Sequence, residues 1–524
     1  MAGKAGSVLK RLLVPSHSDW LFAALMLWLF AVGNGWSGLL ADGDTGWHIR
    51  AGEYVLDTGR VPRADLFSFS KPGARWYAWE WLSDTLFAAV WRRGSLKGVV
   101  LVAGIVIAAY LVILFRHMLW RGGNLFFALA ACLLTAGASG IHYLARPHIF
   151  TLLLLPVSLW LLDRDRRVGD RLVWVLIPIT ALWANLHAGF LALVLSLGVL
   201  AAAAMAERHW RAAARNAALG AGCLAASMLN PYGMALHRHV FEYLQSGWIR
   251  EAVDEFQSPR FRSESALDFE ILLFAGLAAA ASLFGRKKIA EASLVVVWAH
   301  AALVSVRHVP VFAIVACPVI VSEATRWWNG WVAGRGARTL PAVVDGLASD
   351  LSAGSRWTSL VPVFLVAGLT FGGIRLAWPQ DFPAAKFPTK LVERNERKLR
   401  GARVFTSDQW GDYLIYRLPP RQRVFVDGRS DFYGREIGGL YLRTIYGEPA
   451  WSGTLDRYAV SEVLADRHWP LDGLLNQNSH WRLVDEDGMA ALFERAGSGG
   501  VAAAQPKENL PCRRSRPQES LRNE

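Results

Sequence analysis

The chain has 524 residues, 53% of them hydrophobic and only 19% charged, and the apolar residues come in long runs, which excludes a soluble globular protein and indicates an integral membrane one. The net charge of +13 does not point to nucleic acid, because most basic residues lie between apolar runs, where they set topology. Four Cys are scattered, three of them inside apolar runs (Cys132, Cys223, Cys317), with no spacing that suggests a disulfide framework or a metal knuckle.

Residues 1–18, with Lys4, Lys10 and Arg11, read as a cytoplasmic N-terminus. No small-residue cleavage site follows the first apolar run, so that run is expected to be a retained anchor spanning about 20–40. It leads into a first outer loop, 41–97, which opens Ala41-Asp42-Gly43-Asp44-Thr45-Gly46-Trp47-His48-Ile49-Arg50. The two glycines permit a sharp turn. Asp42 and Asp44, with Glu80 later in the loop, suit general-base chemistry or cation binding. The alternative is a solvated turn in which Asp44 caps a helix starting near Thr45. The 79–91 stretch is Trp-rich and too short to span comfortably, so it is expected to lie in the membrane interface.

Further spans are expected at about 98–115, 124–141, 148–162, 172–184, 188–206, 214–230, 269–285, 289–305, 309–325 and 357–376, about eleven in all. With the N-terminus inside, the loops dense in Arg and Lys (Arg116/Arg121, 164–171, Arg208–Arg215, Arg286–Lys288 and 326–356) fall on the cytoplasmic side, as the positive-inside rule requires. The polar residues at span ends then gather on the outer face: Asp42/Asp44/His48, Glu80, His142/Arg146/His148, Asn185/His187, Asn230/Tyr232, Asp254/Glu255 and Arg307/His308. Ionisable groups at membrane depth are costly and tend to be functional, so their convergence predicts an outward-facing cavity. An outer loop at 231–268 opens on the turn signal Asn230-Pro231-Tyr232-Gly233.

After the membrane domain (19–378), residues 379–496 read as a small extracytoplasmic α/β domain. Strands are expected at 403–406, 423–427, 459–465, 481–484 and 489–494, and helices at 408–418 and 434–445. Residues 497–524 are expected to be disordered. Within the domain, Asp408, Trp410 and Tyr413, then Asp427, Arg429 and Asp431, place carboxylates, Arg and aromatics around glycines. That set suits recognition of a sugar or peptide; the alternative is an Asp427–Arg429 turn that satisfies its own backbone.

This layout resembles the GT-C superfamily of membrane glycosyltransferases, whose first outer loop holds an acidic residue and which commonly end in an extracytoplasmic domain. Asp42 and Asp44 match that acidic motif in position. Segment 408–413 (Asp-Gln-Trp-Gly-Asp-Tyr) is similar to the Trp-Trp-Asp-Tyr-Gly motif of oligosaccharyltransferase catalytic subunits, which reads the acceptor; here the Trp pair is absent and the Asp/Gly order differs. The chain is more similar to bacterial GT-C-like proteins with an Asp-x-Asp-x-Gly-Trp-His loop and a Val-Asp-Gly-Arg motif. The resemblance implies a polytopic enzyme of the plasma or inner membrane that takes a sugar from a polyprenyl-phosphate donor. Arg146, Arg307 and the neighbouring His48, His148, His187 and His308 would hold the donor phosphate, Arg through its bidentate donors. Asp42 or Asp44 would deprotonate the acceptor hydroxyl, on a glycan, lipid or protein, and Asp44 with Glu255 is the candidate pair for a divalent cation. Two other readings compete: a lipid or glycan transporter, and a non-catalytic assembly protein on the same scaffold.

Overall fold

The computed structural model describes residues 12–32, 35–262, 266–352, 359–371, 377–420 and 422–497. All but Gly497 of the tail expected to be disordered lies outside them, as does most of the basic N-terminus.

Every apolar run expected to span is helical in its core, and the polypeptide is mostly helix. The first helix, His17–Ala31, starts at a reciprocal cap: Ser16 Oγ accepts the Asp19 N–H and the Asp19 carboxylate accepts the Ser16 N–H at 2.7 Å. It ends ten residues before the acidic loop, and a separate short helix, Trp36–Leu39, continues the run. The expected continuous span over 20–40 is thus divided. At 15 residues the first helix rises about 22 Å, less than the roughly 30 Å of a hydrocarbon core. Among the described residues, three helices are long and apolar enough to cross a membrane (Trp81–Trp120, Ala266–Gly285 and Val306–Val332), and several shorter apolar helices of 10–17 residues pack around them. Helix length therefore supports a membrane protein without establishing eleven crossings. Leu27, Leu133 and Phe274 are 62–68% exposed on the bundle exterior, which suits a hydrocarbon surrounding.

The interfacial stretch and the second span form one 40-residue helix, Trp81–Trp120, broken at Ser95 (φ 51°, ψ −156°). Its first limb carries the Asp44–Thr58 helix of the first loop on its flank. Gly52 makes this possible, since a Cβ there would overlap the Asp84 carbonyl and Ala88.

The C-terminal segment holds a five-stranded sheet: β1 (Arg403–Phe405), β2 (Arg423–Val424), β3 (Glu462–Asp466), β4 (Trp481–Glu486) and β5 (Ala490–Arg495), in the order β2-β1-β3-β5-β4. The β1 pairings with β2 and β3 are parallel, and β5 runs antiparallel to β3 and β4. Each strand overlaps an expected one, although β2 covers only the first two residues of 423–427; of the two expected helices, one is Asp408–Arg417 and the other, Ser430–Ile445, starts four residues early and is broken at Gly434. The sheet does not end at β2. The N–H of Phe69 donates to the Val424 carbonyl and that of Val424 donates to the Phe67 carbonyl, each at 3.0 Å, so the first loop extends the edge and leaves β2 paired on both sides.

Candidate active site

The acidic loop begins a helix at Asp44, and Asp42, not Asp44, supports its start: the Asp44 N–H donates to Asp42 Oδ1 at 2.9 Å. Asp44 is thereby free to turn inward. Its Oδ2 meets Arg146 Nη2 at 2.6 Å. Nη1 of the same guanidinium donates to Asp42 Oδ2 at 2.7 Å and to Glu255 Oε1 at 3.2 Å. Arg146 is placed by its neighbours, since the Ala145 N–H donates to the Leu39 carbonyl and Thr45 Oγ1 donates to the Ala145 carbonyl. Glu255 rides on a 3-10 turn tied to the 305–308 segment by Ser305 Oγ and the Val306 N–H, and Arg307 approaches its other oxygen at 4.0 Å.

Beside this focus lies Glu80. His187 Nε2 stands 3.5 Å from Glu80 Oε1 and His48 Nε2 3.9 Å from Glu80 Oε2. The Gly189 N–H donates to His187 Nδ1 at 3.0 Å. That nitrogen is therefore an acceptor, and a neutral His187 carries its proton on Nε2, facing Glu80. His48 is 1% exposed, and its ring is fixed by Asp84, 2.6 Å from Nδ1.

Burial dominates the electrostatics. It pushes Asp44 up to about 7, against the pull of Arg146, and Glu80 up to about 8. Burial also acts to raise Glu255, but Arg146 and Arg307 outweigh it and hold that carboxyl at about 2. His142 and His187 are driven down to about 4 and about 3, chiefly by burial, and are neutral at pH 7. Asp44 and Glu80 sit above their ordinary values of 3.8 and 4.5. Such groups stabilise the fold fully below the unfolded value and lose that contribution as pH rises through the folded one. Their contribution to the melting temperature in detergent is therefore expected to be lost between about pH 4 and 8. Asp44→Asn is expected to flatten the slope, and an unchanged slope would contradict the shift.

Three segments far apart in sequence close the site. A Cβ on Gly428 would overlap Asp44 Oδ1, and one on Gly43 would overlap the Gln409 carbonyl. The Gly43 N–H donates to Gln409 Oε1 at 2.7 Å, and the Gly428 N–H to Asp412 Oδ1 at 2.9 Å. Asp44 Oδ1 and Asp412 Oδ2 are both buried next to Gly428, and burial, with Asp44 next, raises Asp412 well above the usual carboxylate range. Residue reasoning did not select Asp412, although it lies inside the 408–413 motif.

Of the expected site residues, Asp42, Asp44, Glu80, Arg146, His187, Glu255 and Arg307 come together. His148 is one layer out, bonded to the His142 carbonyl at 2.7 Å. His308 turns to the Ala301 carbonyl and the Trp298 ring. The acceptor candidates divide. Trp410 is 5% exposed, with its indole N–H on the Lys386 carbonyl. Tyr413 is fully buried and donates to Asp381. Asp408 accepts the Gln409 N–H. Asp427 and Arg429 pair with each other, as the self-satisfying turn requires, and Arg429 Nη2 also reaches Asp65 of the first loop at 2.7 Å. Asp431 remains at the edge of the site, 2.9 Å from His239, whose ring stacks on Tyr77 and leans on Trp79. The expected cation pair does not suit a metal: Arg146 stands at the focus of Asp42, Asp44 and Glu255, putting a fixed positive charge where a cation shared by Asp44 and Glu255 would bind. Among the described residues, no group of three or more His, Cys, Asp or Glu is arranged to hold one.

No protein-family model and no curated protein sequence matches the chain. Solved structures do. The Archaeoglobus fulgidus oligosaccharyltransferase in its apo form superposes with a TM-score of 0.53 at 12% identity, covering 86% of this chain and 69% of that one. The same enzyme in complex with Zn and sulfate gives 0.52 at 11% identity, covering 86% and 68%. ArnT from Cupriavidus metallidurans bound to undecaprenyl phosphate gives 0.47 at 12%, covering 92% and 97%. The chain shares the overall fold of the Archaeoglobus fulgidus oligosaccharyltransferase over most of its length.

Proposed function

We propose that the protein is a membrane glycosyltransferase that moves a sugar from a polyprenyl-phosphate donor to a hydroxyl acceptor on the extracytoplasmic side. The apolar helices would cross the bilayer about eleven times, with the N-terminus inside and the C-terminal segment outside. One observation carries the reading: a single guanidinium, Arg146, gathers Asp42, Asp44 and Glu255 from two separate loops on a fold that GT-C enzymes share. A donor phosphate arriving at this focus would take over part of the Arg146 fork and meet Arg307 behind Glu255. Asp42, with its side chain 16% exposed, is the carboxylate an acceptor can reach; Asp44 is buried between Arg146 and Gly428. In the transfer step the acceptor hydroxyl gives its proton to Asp42 and its oxygen bonds to the anomeric carbon. The bond from that carbon to the phosphate oxygen breaks, and the electron pair leaves with the polyprenyl phosphate, whose charge the two Arg side chains offset. Asp431, with Tyr77 and Trp79 close to its partner His239, marks the acceptor side.

The test is transfer of radiolabelled sugar from a mixed polyprenyl-phosphate-sugar pool to native membrane extract by purified protein. Asp42→Asn is expected to lose about 10²–10⁴-fold in rate at unchanged membrane abundance. A fully active Asp42→Asn would remove the base assignment. A folded wild type that transfers nothing from any donor would shift the reading to a glycan-binding assembly protein or a transporter.

A further inference from the structure

The Leu340–Ser352 helix has its faces reversed for a surface helix in water. Leu340, Val343, Leu347 and Leu351 are 77, 55, 49 and 37% exposed, and at 3.6 residues per turn they form one outward stripe. The face toward the bundle carries Asp345, Ala348 and Ser349. Water does not select that arrangement, because an amphipathic helix on a soluble protein turns its leucines inward. A helix that lies in a bilayer interface turns them outward.

Behind its polar face is a cavity of about 600 Å³, lined also by Arg116, Trp120 and Asn124, a volume in the usual range for a small-molecule site. It lies at the end of the bundle away from the acidic site. The Val309–Val332 helix starts next to His308, and Asn329, 20 residues on, reaches the cavity, roughly 30 Å along the axis. Two opposite charges line it. Arg116 has no ion pair among the described residues, and the Asp345 carboxylate accepts one neutral donor, the Trp328 indole N–H at 3.0 Å. A cavity with a guanidinium at one position and, at another, a carboxylate that has no ion pair among the described residues complements a zwitterion, not an anion or a cation alone.

We propose that this cavity holds the headgroup of a zwitterionic phospholipid, with its phosphate on Arg116 and its ammonium on Asp345 next to Trp120. The leucine stripe sets the helix at headgroup depth in the leaflet that supplies the lipid. Guanidinium binds phosphate through parallel charge-assisted hydrogen bonds, and an ammonium gains from both the carboxylate and an aromatic face. The site is separate from the transfer chemistry and does not depend on it.

The experiment is native mass spectrometry of the full chain, released from nanodiscs of equal phosphatidylethanolamine and phosphatidylglycerol. Wild type is expected to retain phosphatidylethanolamine by about tenfold over phosphatidylglycerol, the ratio that one charge-assisted contact provides. Arg116→Gln is expected to lose retention of both, and Asp345→Asn to reverse the preference. Equal retention of the two lipids by wild type, or unchanged retention in Arg116→Gln, overturns the assignment. Free phosphoethanolamine is the control for source: if it competes as well as the intact lipid, the site takes a soluble zwitterion and the lipid is ruled out. In a Cys512→Ser background, Leu347→Cys is expected to stay monomeric under oxidation. A disulfide-linked dimer would instead mean that a second copy covers the stripe.

Discussion

Arg429→Met is expected to cost about 3–5 kcal/mol and to free the C-terminal segment for proteolysis. The guanidinium is 3% exposed and lies between Asp427 and Asp65, with Tyr433 donating to Asp427 Oδ2 at 2.7 Å. It also stands over the Trp76, Phe67 and Phe432 rings at 4.6–5.1 Å. Removing it leaves two buried carboxylates without their cation, and the penalty is the desolvation of those charges more than the lost attraction. Asp65 belongs to the first loop and Asp427 to the C-terminal segment, so their repulsion pushes the two apart. Limited proteolysis of the detergent-solubilised variant checks this, with cleavage expected in the 377–402 approach to β1. The triple variant with Asp65→Asn and Asp427→Asn is expected to recover most of the loss, because the buried charge is gone with its partner. A protease-resistant single variant would show that the sheet pairing at Val424 is sufficient to hold the junction.

Arg146→Lys is expected to reduce transfer by about 10²–10³-fold while the protein accumulates normally. The charge is kept, so Asp44 and Glu255 are not left unpaired. The geometry is lost: one nitrogen of the fork serves Asp42 and Glu255 while the other serves Asp44, and a single ammonium cannot hold all three or present a planar face to a phosphate. The loss should appear mainly in kcat, if Arg146 stabilises the departing phosphate more than the resting donor. A rise in KM alone would make it a binding residue.

Helices and strands were legible in the sequence because they are local. A long apolar run announces a helix without any knowledge of its neighbours, and short apolar runs announce β1 to β5. The Ser95 break was partly legible, since the Trp-rich 79–91 stretch differs in character from the run that follows. Asp42, Asp44, Glu80, Arg146, Glu255 and Arg307 were legible as charges at the ends of apolar runs. Their assembly around Arg146 was not, because nothing in a linear pattern states which carboxylate meets which guanidinium. Asp65 drew no notice at all. It lies 364 residues from Arg429, in a stretch that reads as ordinary polar loop. Trp410 and Tyr413 misled for the same reason. Aromatics among carboxylates look like a binding surface until the packing shows them turned into a core, with their polar atoms spent on Lys386 and Asp381.

The strand-like pairing of residues 67–69 with Val424 sets a timetable. The first loop is synthesised some 350 residues before the segment that completes it; Ser70 and its partner Phe425 are 355 apart. At about 5–20 residues per second, the acidic loop waits roughly 20–70 s with Asp44 lacking the Gly428 wall and Asp65 lacking its cation. A nascent chain thus carries the acidic cluster long before the segment that walls it in, and a ribosome that stops early leaves Asp44 and Asp65 without those partners. The surroundings of Asp44 and Asp65 are complete only when the last fifth of the chain has been made.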